Sequence, residues 1–255
     1  MDLRPILLAT VVLLAGCTDD NDADASGDDA TAGDAPLEAY ETTIEMSDCY
    51  TVELISPAPG ADLASHVPAG FEVSAPPAVV LGAMVCQGGE VERGFWAIGV
   101  TPTDEALVSP RATNHFWIVE HYVGNETAFA AALDGVRAVT TDAQVTGPGN
   151  TNGFAIRAEN TTYEWGSTGG TVTGTWPVIA TVLPSFREYF AADGGYAYID
   201  ASFGGEGGAG AGVGALLTEG DAPGAAHYGP GSNQVGLVND ASAYADAMVG
   251  FIPYP

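Results

Sequence analysis

The side chains best suited to ligand chemistry gather around one cation. Trp165, Trp176, Phe186, Tyr189, Phe190, Tyr196 and Tyr198 lie close together in the chain around Arg187. An arginine fork between aromatic walls can hold a ligand carboxylate through two parallel hydrogen bonds. Arg187, Trp176 and Tyr189 are therefore candidate ligand-binding residues, with Arg157 as a second cation, although the same aromatics would equally fill the second half of a core. His115 and His121 sit six apart on an expected strand, an even spacing that puts both rings on one face. At about 20 Å apart along a straight strand they cannot share a metal. His66 and His227 have no recognisable ligand partners, so no metal site is expected.

Other motifs dissolve on inspection. The glycine run from Gly207 to Ala215 contains a formal G-x-G-x-x-A, but glycine at this density opposes the helix a dinucleotide site needs, and it reads as a flexible loop. No G-x-S-x-G marks a nucleophile elbow, and Ser232 is only near His227 in sequence. Asp22-Ala23-Asp24 lacks the glycine and glutamate of a calcium loop. All six basic side chains are arginine. Without lysine there is no side-chain amine for a Schiff base and no P-loop cation for a nucleotide phosphate. No cofactor is expected.

Stepping outward from these residues, the N-terminus specifies where the rest must work. A short apolar run from Ile6 to Ala15 follows Arg4 and ends Leu14-Ala15-Gly16-Cys17. This resembles the lipobox of bacterial and archaeal lipoproteins, in which the cysteine receives a diacylglyceryl group and becomes the new N-terminus. The resemblance implies a signal peptide over 1–16, lipidation at Cys17 and an extracytoplasmic protein anchored to the cell membrane or outer membrane. Residues 17–36 then carry seven acids and no base, which is the composition of a self-repelling disordered tether. The formal net charge of −27 repels phosphate backbones, so nucleic acid is not an expected partner. With Cys17 lipidated, Cys49 and Cys86 remain in an oxidising compartment and are expected to pair.

Residues 37–255 contain no second low-complexity linker and read as one domain. Strands are expected at Asp48–Ile55, Ala78–Cys86, Phe95–Val100, Asn114–Val123, Val136–Val145, Phe154–Ala158, Thr161–Trp165, Gly170–Trp176 and Tyr196–Ala201. Short helices are expected at Pro59–Val67 and Glu126–Leu133, and Ala243–Ile252 is a last amphipathic segment. Residues 204–236 read as loops on their glycine content. The fold expected is α+β and β-rich: a large antiparallel sheet or partly closed barrel with two or three short helices.

One stretch carries a family likeness. Ala61-Asp62-Leu63-Ala64-Ser65-His66-Val67-Pro68-Ala69-Gly70-Phe71, a short helix ending in Pro-x-Gly-Phe between strands, resembles an element of acetoacetate-decarboxylase-like β-barrels. The likeness runs from about Asp48 to Val145. It implies a cone-shaped, partly closed barrel able to hold a small apolar or acidic ligand. The decarboxylase's Schiff-base lysine has no counterpart here, so the resemblance brings no catalytic residue. The leading expectation is a lipid-anchored, non-catalytic module that binds a small ligand or an envelope protein. The alternative is a relative that binds or converts a small organic acid by lysine-independent chemistry.

Overall fold

The computed structural model describes residues 41–254, apart from 45, 47–48, 58–59, 87–90, 125–126, 148–152, 175–184, 203–207, 230 and 242–246. Cys17, the signal-peptide and tether expectations, and Trp176 lie outside the described residues.

Fourteen strands form one large mixed sheet. Strand β1 (Glu41–Ile44) leads to β2 (Cys49–Pro57), helix α1 (Gly60–Leu63) with a 3-10 turn at Ala64–His66, and β3 (Phe71–Val73). Then come β4 (Ala78–Cys86), β5 (Glu92–Pro102), β6 (Asn114–Val123), α2 (Ala128–Gly135), β7 (Thr141–Thr146), β8 (Gly153–Ala158) and β9 (Thr161–Gly174). The chain continues through β10 (Ser185–Ala192), β11 (Gly195–Ser202), β12 (Gly208–Gly220), α3 (Pro223–Tyr228), β13 (Ser232–Ala241) and β14 (Ala247–Pro253).

The sheet as a whole is open, running β1-β14-β11-β10-β6-β7-β8-β9-β12-β13-β2-β4-β5-β3 with β1 and β3 at its edges. Strand β5 also pairs with β6, so the inner succession from β6 round to β5 returns on itself. Strand β6 thereby has three neighbours: β5 along most of its length, β10 beside Asn114–Ile118, and β7 beside Tyr122 and Val123. The pairings of β6 with β10 and β7 are parallel. The second follows from chain connectivity, since a helix between two strands carries the chain back for a parallel pairing.

Two apolar layers lie on either side of this wall. Trp96 and Ile98 face one, with Val52, Leu54, Leu81, Tyr163 and Leu216. Phe95 and Ala97 face the other, with Ile118, Phe129, Leu133 and Phe190. Strand β5 is buried on both faces from Arg93 to Val100, which is why its sequence runs apolar rather than alternating. Helix α2 closes the second layer: the Thr127 hydroxyl caps it by accepting from the Ala130 amide at 3.0 Å, and Phe129 and Leu133, one turn apart, are buried. In the first layer the side chain of Ile156 lies where a Cβ on Gly94 would stand, so opposite walls meet and only glycine fits at 94.

Cys49 and Cys86 are directly opposed across β2 and β4, are both buried, and form a disulfide. Strand β9 is one continuous element where two strands were expected, and Val136–Val139 turns before β7 begins. The larger correction concerns residues 204–236, which the glycine content assigns to loops. They contain β12, α3 and the start of β13. Strand β12 is paired on both sides, to β13 from Gly208 to Leu216 and to β9 from Ala209 to Gly220 with register shifts around Val213. Ladders of backbone hydrogen bonds on both sides outweigh the weak intrinsic preference of glycine.

Replacing both cysteines with alanine is expected to cost about 4 kcal/mol, the entropy of a closed loop of this length. A urea midpoint for the double variant equal to that of the parent would count against the staple.

Candidate functional site

A single irregularity positions the polar groups. Between Trp96 and Ala97 the β5–β6 register slips, with Trp96 opposite Glu120 but Ala97 opposite Ile118. This bulge places one extra residue on β6, so side chains beyond it face the opposite layer from the one that alternation predicts. Glu120 and Tyr122 turn into the layer of Trp96, while His121 turns into the layer of α2. The expectation that His115 and His121 share a face is thereby overturned. His115 stacks on Tyr189 with ring centroids 5.9 Å apart, whereas His121 packs between Phe129 and Phe190.

Glu120 is the centre of the inner group. Its Oε2 accepts from the hydroxyls of Tyr122 at 2.9 Å and Tyr163 at 2.6 Å, and its Oε1 accepts from the Gly224 amide at 2.6 Å. Burial, and then the neighbouring carboxylate, hold both phenols protonated far above their ordinary range. Gly224 belongs to the first turn of α3, so the carboxylate ties that helix to the wall. A Cβ at 224 would stand 2.6 Å from the Tyr163 hydroxyl and 2.9 Å from the Trp96 ring, which explains the glycine. Around Trp96 the rings of His66 and His227 each lie 5.7 Å away, bringing α1's turn and α3 over one indole. His227 is held below the usual imidazole range by burial first, with Asp62 opposing and His66 adding.

On the other layer Arg93 donates to Glu188 at 2.5 Å, with its guanidinium 4.6 Å from the centre of the Phe95 ring. Glu53 faces this pair. Its carboxyl is desolvated although part of the residue reaches the surface, and burial, reinforced by Glu188 and opposed by Arg93, raises it from 4.5 to about 7. Burial, and then Arg93, hold His121 well below the imidazole range.

The sequence-selected residues divide. Arg187 and Tyr189 do come together, in the interior, but Arg187 grips Asp200 with Nε to Oδ1 at 2.6 Å and Nη2 to Oδ2 at 2.5 Å. Burial opposes its charge; hydrogen bonding and the charge of Asp200 outweigh that and raise its pKa. The Tyr189 hydroxyl donates to the Leu107 carbonyl. Arg157 is on the surface of β8, paired with Glu164 at 3.1 Å, and joins neither. Glu120, Tyr163 and Gly224 were not singled out by sequence, since they come from three distant segments and no spacing links them. A cleft of about 330 Å³ opens elsewhere, beside β3, between Val67, Phe71 and Val73.

No protein-family model matches the sequence, and no curated protein matches it either. Among solved structures the chain is similar to an acetoacetate decarboxylase-like enzyme from Sphingomonas wittichii RW1, with TM-score 0.53 and 12% identity over 89% of this chain and 97% of that one. It is also similar to acetoacetate decarboxylase from Legionella pneumophila subsp. pneumophila str. Philadelphia 1 (TM-score 0.48, 10% identity, 85% and 94% covered). A third is the enduracididine biosynthesis enzyme MppR complexed with pyruvate (TM-score 0.48, 10% identity, 88% and 94% covered). The likeness to the Sphingomonas enzyme shows the fold: this is an acetoacetate-decarboxylase-like sheet.

Glu120→Ala leaves three donors without their acceptor and is expected to destabilise the protein by at least about 3 kcal/mol. In a double-mutant cycle with Tyr163→Phe the two losses should not add; additive losses would place the hydrogen bond outside the stability of the folded state. For Glu53, a folded pKa above the unfolded one means stability is complete below about 4.5 and lost as pH rises through about 7. Urea midpoints of Glu53→Gln should therefore gain on the parent steadily between those two values. A constant difference would contradict the raised carboxyl.

Proposed function

We propose that this chain is a lipid-anchored protein of the cell envelope in which an acetoacetate-decarboxylase-like fold serves for binding rather than catalysis. One observation carries the reading. The chain has no lysine, and Arg93, Arg111, Arg137, Arg157 and Arg187 each face a carboxylate of the protein itself. Among the described residues every arginine thus has a carboxylate of the chain within 4 Å, and the two buried ones, Arg93 and Arg187, are tightly paired. A keto acid entering this fold meets neither an amine to condense with nor an arginine whose charge is unopposed. The net charge of −27 adds a field that disfavours anionic ligands and favours cationic or neutral ones.

The anchor half of the proposal rests on Leu14-Ala15-Gly16-Cys17 and on the acidic, lysine-free stretch after it. A diacylglyceryl group contributes about 0.8 kcal/mol per buried methylene, enough with two chains to hold the protein at a membrane. The rival reading, lysine-independent conversion of a small organic acid, would draw on Arg187, which converges with the Asp200 carboxylate in the interior. A ligand carboxylate that took Arg187 from Asp200 would leave the Asp200 carboxylate buried without its partner, a cost of roughly 3–5 kcal/mol.

Two measurements test the halves separately. Cys17→Ser should move the protein from the membrane fraction to the soluble one; retention at the membrane would defeat the anchor. Acetoacetate or pyruvate incubated with the full-length protein should release no carbon dioxide above buffer. Turnover lost in Arg187→Gln would instead establish the rival.

A further inference from the structure

The third strand is a short edge with its hydrogen-bonding groups turned outward. The Gly70 carbonyl accepts from Thr103 at 2.8 Å and the Ser74 amide donates to Gly99 at 2.9 Å, so residues 70, 72 and 74 face β5. In an antiparallel ladder alternate residues face opposite ways, and the peptide groups of Phe71 and Val73 therefore point away from β5, to an edge that no described strand pairs. The largely apolar cleft of about 330 Å³ opens along this strand, with Ala64, Val67 and Pro77 in its lining. The side chain of Glu72 is exposed on the strand and contributes the one charge in the cleft's lining.

We propose that the β3 edge and its cleft form a docking site for an extended peptide segment that alternates apolar and basic residues. Strand addition supplies main-chain hydrogen bonds from Phe71 and Val73. Successive side chains of an added strand point to opposite faces, so one set enters the cleft against Ala64 and Val67 while the other lies beside Glu72. The acidic field of the whole molecule and the local carboxylate select lysine or arginine for that second set. An edge of three residues offers few hydrogen bonds, which makes this a weak and reversible contact. The inference deepens the binding reading above and rests on it. It would fail alone if the anchor and the lack of turnover held while the peptide did not bind.

The test uses the full-length protein and an end-blocked hexapeptide alternating valine and lysine, titrated by fluorescence anisotropy at low salt. Saturable binding is expected. It should weaken about fivefold in Glu72→Lys, the size of one exposed ion pair, and that variant should prefer a peptide with glutamate in place of lysine. Ala64→Trp, which fills the cleft from an exposed position, should abolish it, and methylating alternate peptide nitrogens should weaken it about tenfold by removing a ladder bond. Absence of saturation, or binding indifferent to all three changes, overturns the proposal. So does a concentration-dependent dimer dissolved by Ala64→Trp, which would put a second copy of the chain on this edge.

Discussion

The bulge opposite Trp96 and Ala97 is the constraint from which the polar architecture follows. A regular β6 would alternate from His115 to His121 without interruption, and Glu120 would then face the apolar layer under α2. There it would meet Phe129, Phe190 and Ile118, in a layer whose cation, Arg93, is already paired with Glu188. The extra residue sends Glu120 inward to two phenols and an amide, and sends His121, which can be neutral, into the apolar layer instead. A carboxylate stripped of water costs far more than a neutral imidazole in the same place, so the register of this one strand is set by where its charge can be satisfied. The position of α3 depends on that choice, because its first turn is held by the same carboxylate.

Charge scarcity shapes the rest. A chain with six arginines and 33 acids can neutralise few of its carboxylates, and the two it neutralises most tightly in the interior, Glu188 and Asp200, are neighbours on β10 and β11. Both pairs bridge strands, Arg93 from β5 to β10 and Arg187 from β10 to β11, and each lies over an aromatic ring. Such pairs add little net stability compared with apolar packing, but breaking one strands a buried charge. They act as registers for the strands.

Much of the sheet was legible in the sequence because its strands carry β-branched and aromatic residues: β4, β6 and β8 stand close to where composition placed them, and the Ala-rich run with Gly135 as its stop marked α2. The disulfide followed from arithmetic on three cysteines. What composition could not reach were features held by partners distant in the chain. Strand β12 is strand because β9 and β13 flank it, and nothing within Gly208–Gly220 announces either neighbour. Arg187 was singled out correctly as a cation among aromatics, but Asp200 on the facing strand decides what it does. The bulge inverted the reading of His121 for the same reason, since a register shift belongs to a pair of strands and to neither sequence alone.

Where a ligand can be met follows from how the interior is filled. In barrels an interior serves as a site when the walls stand apart, and here Ile156 reaches across to Gly94 while Trp96, Tyr163 and Trp165 occupy the space between. Glu120 is satisfied by its three donors, and a ligand displacing them would have to replace every bond it broke. Recognition at the rim carries no such cost. At β3 the groups offered are backbone amides and carbonyls turned to the edge, an apolar recess and one exposed carboxylate, none of which must surrender an internal partner before binding. A fold whose centre is closed by its own side chains and whose arginines are held by its own acids leaves its edges as the economical place to bind.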